Sequence, residues 1–476
     1  MDEADINPGA DADRGSAALV RFDADQCPRR RLPSNDLMTS KACIFAEQAA
    51  PRYTSYPTAP HFTAAVGPET YAGWLEELPD EATLSLYLHV PFCAELCHYC
   101  GCHTKVVRRR EPIEAYAGLL EREVDLLAAR TAQQTVTSIH WGGGTPSMLG
   151  PDRLIALSDR LAAAFNCAPA EHAIELDPRH IDRPLVQALG KIGVTRASLG
   201  VQEFAPHVQH AIGRIQPFEQ VAAGVGMLRE AGIGNLNFDL MYGLPHQSAD
   251  DIGRSISLAH QLTPSRIALF GYAHVPWLKT HQRLVDAAAL PGASERLAQA
   301  EAAREMLVSL GYVPIGLDHF ARPGDGLALA AAAGRLRRNF QGYTTDNADA
   351  LLGIGASAIG GLPRGFVQNA PDIAGYARSV ENGRLATVRG IAFTADDRQR
   401  GRIIERLMCD FAAELDDFGV DSAVAEALAP LAAEGLVTID NRRVAMTQAG
   451  RPFVRLAAAA FDTYLGKGAA RHSRAV

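Results

Sequence analysis

The sequence has no long apolar run, no basic leader and no excess of positive charge. The longest Ala/Leu stretch, residues 327–333, is too short to cross a bilayer, which needs about 20 apolar residues. The opening MDEADINPGADADR is acidic and lacks the basic and apolar regions of a secretory signal. The net charge is −8 over 476 residues. We therefore expect a cytoplasmic protein that neither spans a membrane nor binds nucleic acid.

Cysteine is sparse except in one segment. Of the 8 cysteines, Cys93, Cys97, Cys100 and Cys102 lie within ten residues, a concentration typical of a cytosolic metal or redox site. The first three have the spacing CxxxCxxC, which leaves a metal centre one protein ligand short. This pattern favours an iron–sulfur cluster whose open iron binds S-adenosylmethionine (SAM). A zinc site completed by a nearby histidine is the alternative.

A strand-then-helix rhythm repeats from residue 84. Strands are predicted at 84–90, 138–141, 173–177, 196–202, 235–240 and 266–272, with helices such as 113–130 and 151–165 between them. This alternation implies parallel strands. One face of several strands is polar, which is uncommon in central parallel strands. We predict an α/β fold, a partial (β/α)6 TIM-like barrel with a polar lumen lined by Tyr87, His89, Glu175, Asn237 and Asp239. The alternative is a doubly wound sheet with polar strand ends.

The regions that flank the barrel have a different composition. Residues 1–50 show no sustained period and are predicted to form a flexible segment, and residues 51–83 an arm over the barrel mouth. The barrel and its substrate-cavity extension occupy 84–390. Residues 391–476 are predicted to form a mainly helical, winged-helix-like domain. Its elements are helices at 396–415 and 420–434, a hairpin at 436–447 with its turn at Asp440-Asn441, and a helix at 448–465.

Several side chains near the cysteines have chemistry suited to a ligand. The run Gly142–Gly144 lets backbone approach a bound molecule closely, although a tight turn explains it equally well. Glu175 is placed to accept an ammonium group, and Tyr99 offers an aromatic face. Cys102 is not needed by a three-cysteine cluster, so both a reactive and a packed thiol remain open.

A set of short motifs occurs in the order found in one known family. They are RYTSYPT (52–58), SLYLHVPFC (85–93), CGC (100–102), HWGGGTPS (140–147), IELDPR (174–179), GVQ (200–202), DLMYGLP (239–245), YAHVP (272–276), DHFARP (318–323) and NFQGYTT (339–345). From about residue 51 onward the chain resembles the oxygen-independent coproporphyrinogen III dehydrogenases of the radical SAM superfamily, whose superfamily signature is CxxxCxxC.

The resemblance implies an enzyme of anaerobic haem and porphyrin biosynthesis. Such an enzyme converts two propionates of coproporphyrinogen III to vinyl groups, giving protoporphyrinogen IX. A reduced 4Fe–4S cluster on Cys93, Cys97 and Cys100 would cleave SAM to methionine and a 5′-deoxyadenosyl radical, which takes hydrogen from a propionate β-carbon. The implied partners are coproporphyrinogen III and a small electron-donor protein such as a flavodoxin or ferredoxin, and the implied state is a monomer.

The resemblance also implies roles for individual residues, with two SAM molecules in one site. The positions that match contacts to the cluster-bound SAM are Tyr87, Gly143, Glu175 and Ile359; those that match contacts to the second SAM are Tyr99, Gly144, Thr145, Gln202, Arg214, Asp239 and Ala273. Tyr99 stands where the family more often has Phe. From the residues alone, Arg214 is interpreted as a solvated helix-end charge.

Three residues are predicted to be catalytic and one to bind substrate. Cys102, His89 and Tyr87 are the predicted catalytic residues. Arg52 is predicted to bind a propionate, because a guanidinium suits bidentate carboxylate binding. The rival functions are a haem-binding trafficking paralogue, which tends to lack the RYTSYPT and CGC motifs, and a SAM-dependent haem ring-opening enzyme.

Overall fold

A computed structural model describes residues 40–131, 134–440, 442–466 and 472–475. The helices in this part are α1 Ser40–Glu47, α2 Pro68–Glu76, α3 Glu111–Thr131, α4 Pro151–Ala164, α5 Arg183–Lys191, α6 Pro206–Ala211, α7 Phe218–Glu230, α8 Ala249–Gln261, α9 Ala293–Ser309, α10 Gly326–Ala332, α11 Ile373–Glu381, α12 Ala395–Asp410, α13 Ser422–Ala433 and α14 Val454–Ala459. None of them is long and apolar enough to cross a membrane.

The strands of the same residues follow in chain order. They are β1 Thr83–Val90, β2 Phe92–Cys93, β3 Lys105–Val106, β4 Thr135–Gly143, β5 Asn166–Leu176, β6 Arg196–Gln202, β7 Asn235–Tyr242, β8 Arg266–Gly271, β9 Val313–Ile315, β10 His319–Ala321, β11 Arg337–Asn339, β12 Gly342–Thr344, β13 Ala350–Ile354, β14 Ile359–Leu362, β15 Gly365–Asn369, β16 Thr387–Ala392, β17 Ala412–Glu414, β18 Val437–Ile439 and β19 Arg443–Met446.

One mixed sheet of twelve strands organises the chain, in the order β16-β15-β14-β13-β1-β4-β5-β6-β7-β8-β10-β9. Strands β1 and β4 to β8 are parallel and lie in chain order. A doubly wound sheet would reverse its order after the first strands. The sheet does not close, because β13 adds to β1 and β10 adds antiparallel to β8. The predicted partial barrel is confirmed, with β13 as a further parallel strand.

The alternation of β1 separates a core face from a lumen face. Leu84, Leu86 and Leu88 are at most 1% exposed and belong to the main hydrophobic core that the barrel shares with its helices. Tyr87 and His89 point to the opposite face, because successive residues of a strand alternate. The six predicted strands lie within three residues of the observed ones, except that β5 begins seven residues before the predicted start. The polar lumen predicted from period-two patterning therefore exists.

Two helix predictions in the C-terminal region are wrong. The helix predicted at 396–415 ends at Asp410, because Phe411 adopts a left-handed conformation with φ 58° and residues 412–414 pair with β19 as β17. The helix predicted at 448–465 is a 3-10 turn, Arg451–Phe453, followed by the short α14. Strands β18 and β19 confirm the hairpin, whereas Asn441 of its predicted turn lies outside the described residues.

The expectation for residues 1–50 is wrong for their last part. Residues 1–39 lie outside the described residues, but Ser40–Glu47 form α1. Phe45 is 8% exposed and its ring lies 5.9 Å from that of Phe453. Helix α1 therefore belongs to the hydrophobic core of the C-terminal region.

The arm at 51–83 divides between two cores. Tyr53 donates to Asp462 over 3.1 Å, and Tyr56 and Thr463 share a hydrogen bond of 3.2 Å, so these tyrosines pack in the C-terminal region. Helix α2 packs in the barrel core. The tyrosines at the start of the arm are therefore anchored to the C-terminal region, while α2 is anchored to the barrel. The domain boundaries at 50, 83 and 390 stay predictions.

Replacing Phe45 by alanine tests the packing of α1. We expect Phe45→Ala to lower the free energy of unfolding by about 3 kcal/mol, because it empties a buried aromatic site. Ile44 is the matched control, since it is 60% exposed, and Ile44→Ala should change stability by no more than about 0.5 kcal/mol. Urea denaturation of both variants measures the difference, and equal effects would contradict the packing of this helix.

Candidate active site

Cys93 ends β2, and Cys97, Cys100 and Cys102 lie on the loop that joins β2 to β3, soon after the first barrel strand. All are free thiols; Cys97 is buried, Cys93 and Cys100 are half-buried, and Cys102 is exposed. Side chains of the segment after β8 hold the loop in place. Lys279 Nζ lies 2.8 Å from the Cys102 carbonyl oxygen, and His281 Nε2 lies 2.8 Å from that of Cys100.

Hydrogen-bond donors surround two of the thiols. Nη1 of Arg214 lies 3.4 Å from Cys97 Sγ, and Nη2 of Arg179 lies 3.9 Å from the same sulfur. Thr145 Oγ1 lies 3.7 Å from Cys93 Sγ. These donors therefore point at the two sulfur atoms that the sequence predicts to bind the cluster.

The glycine run packs against β1 and the cysteine loop with no room for side chains. A Cβ at Gly142 would lie 2.9 Å from atoms of Glu175 and Tyr87, and one at Gly143, whose φ is +107°, would lie 2.6 Å from the His89 ring. A Cβ at Gly144 would lie 2.5 Å from the Phe92 carbonyl oxygen. The glycines are therefore required for this close approach, which brings backbone N–H groups to the lumen.

Glu175 is the carboxylate of this part of the lumen. It accepts hydrogen bonds from the Gly143 N–H over 3.0 Å and makes a 3.3 Å contact with His140 Nε2. Burial alone would raise the pKa of Glu175, but the hydrogen bonds from His140 and Gly143 outweigh it, and the pKa is lowered. Glu175 is therefore an anion that can accept a cationic ligand group.

Tyr87 and His89 form a defined hydrogen-bonded pair. His89 Nε2 lies 3.2 Å from the His103 carbonyl oxygen, which can only accept, so Nε2 carries the proton. Burial lowers the pKa of His89, which favours the neutral ring. Nδ1 then accepts from the Tyr87 hydroxyl, 3.1 Å away. The hydrogen of Tyr87 is thus committed to His89.

A second polar group occupies the lumen face of β6 and β7. Asn237 Nδ2 donates to Asp239 Oδ1 over 2.8 Å, and Ser198 Oγ donates to Asp239 Oδ2 over 3.3 Å. Burial, with the nearby charge of Glu175, raises the pKa of Asp239 to about 6. Asp239 therefore changes charge close to neutral pH.

The interpretation of Arg214 as a solvated charge is wrong. It is 6% exposed, and its Nη2 lies 3.1 Å from Asp177 Oδ1 and 2.6 Å from the Gly200 carbonyl oxygen. Although burial opposes it, hydrogen bonds from His180 and Arg179 and the charge of Arg214 lower the pKa of Asp177. The sequence analysis assigned no role to Asp177 and Arg179, which hold Arg214 and Cys97 in place; both residues belong to the IELDPR motif (174–179).

The remaining candidates lie around the same lumen. Gln202, with φ 69°, ends β6, and the Ala273 carbonyl oxygen accepts from Gln282 just after β8. Gly353 is opposite Tyr87 in register, and a Cβ there would lie 2.7 Å from the Ile359 carbonyl oxygen. The predicted SAM contacts are thus brought to one end of the barrel, while their roles stay predictions.

Arg52 reaches the barrel from the arm. Its Nη2 donates to the Gly271 carbonyl oxygen over 3.2 Å at the end of β8. It lines a cavity of about 1260 Å³ that also contacts Ala273, α9 and the C-terminal region. A cavity of this size accommodates a ligand larger than a typical drug molecule.

The donor set fits the expected cluster and SAM. Among the described residues, no three His, Cys, Asp or Glu side chains converge on a point that a single metal ion could fill. A cubane cluster needs no such convergence, because each thiolate binds a different iron. Buried polar atoms without a hydrogen-bond partner also face this region, namely His98 Nδ1, Arg214 Nε and Asn237 Oδ1. Bound groups would satisfy such atoms.

Comparison with known proteins places the chain among named relatives. The model of the radical SAM superfamily matches residues 87–259, and that of the HemN C-terminal domain matches residues 393–453. An oxygen-independent coproporphyrinogen III oxidase of Bradyrhizobium diazoefficiens is 51% identical over 91% of this chain and 99% of the relative. Its Escherichia coli counterpart is 38% identical over 88% of this chain and 93% of the relative.

A solved structure agrees over the same extent. The coproporphyrinogen III oxidase HemN of Escherichia coli, described as a radical SAM enzyme, superposes with a TM-score of 0.82 at 37% identity. The match covers 88% of this chain and all of that chain. The two chains therefore share one fold over most of their length.

Substituting Gly143 tests the close approach of the glycine run. Gly143→Ala should destabilise the protein by more than 2 kcal/mol, because unfavourable backbone costs roughly 1–3 kcal/mol and the His89 ring must also move. Gly193→Ala is the control, since Gly193 has φ +76° but nothing within 4 Å of a Cβ, and it should cost only about 1–2 kcal/mol. Chemical denaturation compares the two; an equal loss would show that backbone strain alone decides the position.

Proposed function

We propose a function for this chain from its family: it belongs to the oxygen-independent coproporphyrinogen III oxidases, which are radical SAM enzymes. It is an oxidoreductase that converts two propionates of coproporphyrinogen III to vinyl groups, giving protoporphyrinogen IX. Its cofactors are a 4Fe–4S cluster and SAM. The alternatives of haem trafficking and haem ring opening are not favoured, because the named relatives match over nearly their whole length.

Cys93, Cys97 and Cys100 hold the cluster in this proposal. The bound cluster and SAM supply the one-electron chemistry that activates a propionate C–H bond. Arg179 and Arg214 direct hydrogen-bond donors at the sulfur of Cys97, and Thr145 directs its hydroxyl at that of Cys93. Loop contacts from the segment after β8 fix the sulfurs in place.

Glu175 and Asp239 are proposed to orient two SAM molecules. Glu175 accepts the ammonium group of the cluster-bound SAM beside Tyr87, Gly143 and Ile359. Asp239 accepts hydrogen bonds from a ribose diol of the second SAM, near Tyr99, Gly144, Thr145, Gln202 and Ala273. Since Asp177 and Gly200 occupy Nη2 of Arg214, its unpartnered Nε is the donor left for a SAM carboxylate.

Tyr87, His89 and Cys102 are proposed to act near the reacting carbon. The Tyr87 hydroxyl donates its hydrogen bond to His89 Nδ1. Its oxygen can therefore act only as a hydrogen-bond acceptor toward other groups in the lumen. Cys102 is the exposed thiol of the loop. If Cys102 serves chemistry only, Cys102→Ser should keep the cluster and lose vinyl formation.

A small electron-donor protein, such as a flavodoxin or ferredoxin, is the proposed reductant. Leu96 on the cysteine loop is 40% exposed, and Trp277 and Leu278, just before the segment that holds the loop, are 51% and 69% exposed. These side chains offer an apolar surface close to the thiols. We propose that the enzyme acts as a monomer, since one chain supplies every site residue, and in the cytoplasm, where thiols stay reduced.

The observation that carries this function is the identity of 51% over 91% of the chain, combined with three free thiols beside a glycine run. The test is anaerobic conversion of coproporphyrinogen III by the reconstituted protein with SAM and dithionite. We expect protoporphyrinogen IX, detected as protoporphyrin after oxidation. Binding of haem without conversion would instead support trafficking, and consumption of haem would support ring opening.

Replacing each cluster cysteine tests the ligand set. Cys93→Ser, Cys97→Ser and Cys100→Ser should each prevent assembly of a stable cluster, because each removes a thiolate ligand. Cys167→Ser is a control outside the loop. Iron content and the visible charge-transfer band after anaerobic reconstitution measure the outcome. Full iron content in all three variants would refute the assignment.

The raised pKa of Asp239 gives a pH prediction. The carboxyl is neutral below its pKa of about 6 and charged above it. Because the charged form better accepts a diol and attracts cationic SAM, SAM affinity should rise several-fold from pH 5 to pH 7.5. Asp239→Asn should bind more weakly and lose most of this rise. Equilibrium dialysis against labelled SAM measures it, and an unchanged pH profile in the variant would contradict the role of Asp239.

A further inference from the structure

The large cavity beside the barrel mouth has a charge opposite to that of the chain. Among the described residues that line it, seven are arginines and four are Asp or Glu, whereas the whole chain has a net charge of −8. Cations are seldom gathered in a partly enclosed apolar space without counterions, because desolvation is unfavourable. The surplus of arginines over acidic side chains in this cavity therefore indicates an anionic ligand.

Arg338 is the best-defined member of this set. Its Nε and Nη2 donate over 3.2 Å to the carbonyl oxygens of Tyr53 and Arg52. Its guanidinium lies over the Tyr343 ring, 4.4 Å from the centroid, which fixes its plane. Its Nη1 is buried and has no hydrogen-bond partner in the described structure. This orientation leaves one donor of a fixed cation for a ligand.

Two further arginines of the same cavity lie at the end of β8. Arg52 donates one hydrogen bond, to the Gly271 carbonyl oxygen, and its side chain is otherwise exposed to the cavity. Nη2 of Arg296 would lie 3.2 Å from a Cβ at Gly271, and its guanidinium lies 5.7 Å from the Tyr242 ring centroid. Arg52 and Arg296 thus lie at Gly271, two residues before the proposed SAM contact Ala273, and Arg338 lines the same cavity and is bonded to the Arg52 backbone.

The fixed backbone around Arg52 adds to this arrangement. Arg455 donates from Nε to the carbonyl oxygen of Pro51 over 2.9 Å, and from its other nitrogens to Ala50 and to residues 473–475. Asp318, an acid of the same cavity, lies 2.7 Å from His319 Nδ1. Although burial opposes it, the charges of Arg338 and Arg52 both reach this carboxylate and, with His319, help to lower its pKa.

We propose that Arg52, Arg296 and Arg338 form a carboxylate subsite that makes affinity depend on the number of propionates that a tetrapyrrole carries. This inference rests on the proposed function, in which the substrate has four carboxylates and the product has two. Each decarboxylation removes an anion that an arginine can bind through charge-assisted hydrogen bonds. The subsite holds the substrate through both turnovers and favours release of the product.

The test compares two porphyrins that cannot react. Coproporphyrin III, a tetracarboxylate, and protoporphyrin IX, a dicarboxylate, are titrated into the cluster-loaded protein without SAM or reductant. We expect the wild type to bind the tetracarboxylate at least about tenfold more tightly than the dicarboxylate, since tenfold is the order of one charge-assisted contact. In Arg338→Met this affinity ratio should fall to about threefold or less. Arg338→Lys should be intermediate, because it keeps the charge and loses the fork.

Two further variants keep the test decisive. Arg52→Met should also lower the ratio, and it concerns an exposed side chain, so misfolding is not a concern. Arg304→Met is the matched control: Arg304 lines the same cavity but is ion-paired with Glu301 at 2.5 Å, and its ratio should equal that of the wild type. A wild-type ratio kept by both Arg338→Met and Arg52→Met, with unchanged melting curves, would overturn the subsite.

Turnover of coproporphyrinogen III, measured in parallel, separates the subsite from the function. Conversion by the wild type together with a ratio that no variant changes would refute the subsite and leave the function standing. A ratio that falls as expected in a protein that converts no coproporphyrinogen would support the carboxylate subsite and refute the proposed function.

Discussion

The carboxyl ends of parallel strands all lie at the same edge of a sheet, and the candidate site depends on this constraint. The cysteine loop follows β1, the glycine run ends β4, Glu175 lies near the end of β5, and Gln202 ends β6. Residues more than a hundred positions apart meet there because the strands lie side by side in chain order. The strict alternation of each strand then gives the leucines to the core and the polar groups to the lumen.

Features that depend on residues close together in the sequence were predicted correctly from the sequence. The period of two in β1 and β7 gave the barrel and its polar face, and the spacing of Cys93, Cys97 and Cys100 indicated the cluster. Contacts between distant segments had no such signal. The sequence around Arg214 indicates a surface charge, and only the fold shows that Asp177, just after β5, lies beside it. Phe45 belongs to no periodic pattern, and only the fold shows that Phe453 covers it. The end of α12 was predicted too late because residues 412–414 form β17, and the strand that pairs with β17 is β19, about 30 residues further along the chain.

Charge is distributed unevenly, and the unevenness matches the chemistry. Near the thiols, Arg179 and Arg214 face sulfur and are balanced by Asp177. Glu175 and Asp239 line the lumen, where a cationic sulfonium and ammonium are expected. Beyond Gly271 the arginines predominate, where carboxylates are expected. An acidic chain thus places opposite charges at the two sites where ligands of opposite charge are proposed.

Arg455 contacts the arm and the tail mainly through backbone. Four of its hydrogen bonds end on the carbonyl oxygens of Ala50, Pro51, Arg474 and Ala475. Every amino acid supplies a carbonyl oxygen, so the side chains at positions 50, 51, 474 and 475 can differ between related chains, whereas the guanidinium at 455 cannot be replaced. Related chains should therefore vary at these four positions and still hold the backbone there in the same place, so that a geometry is inherited without its sequence.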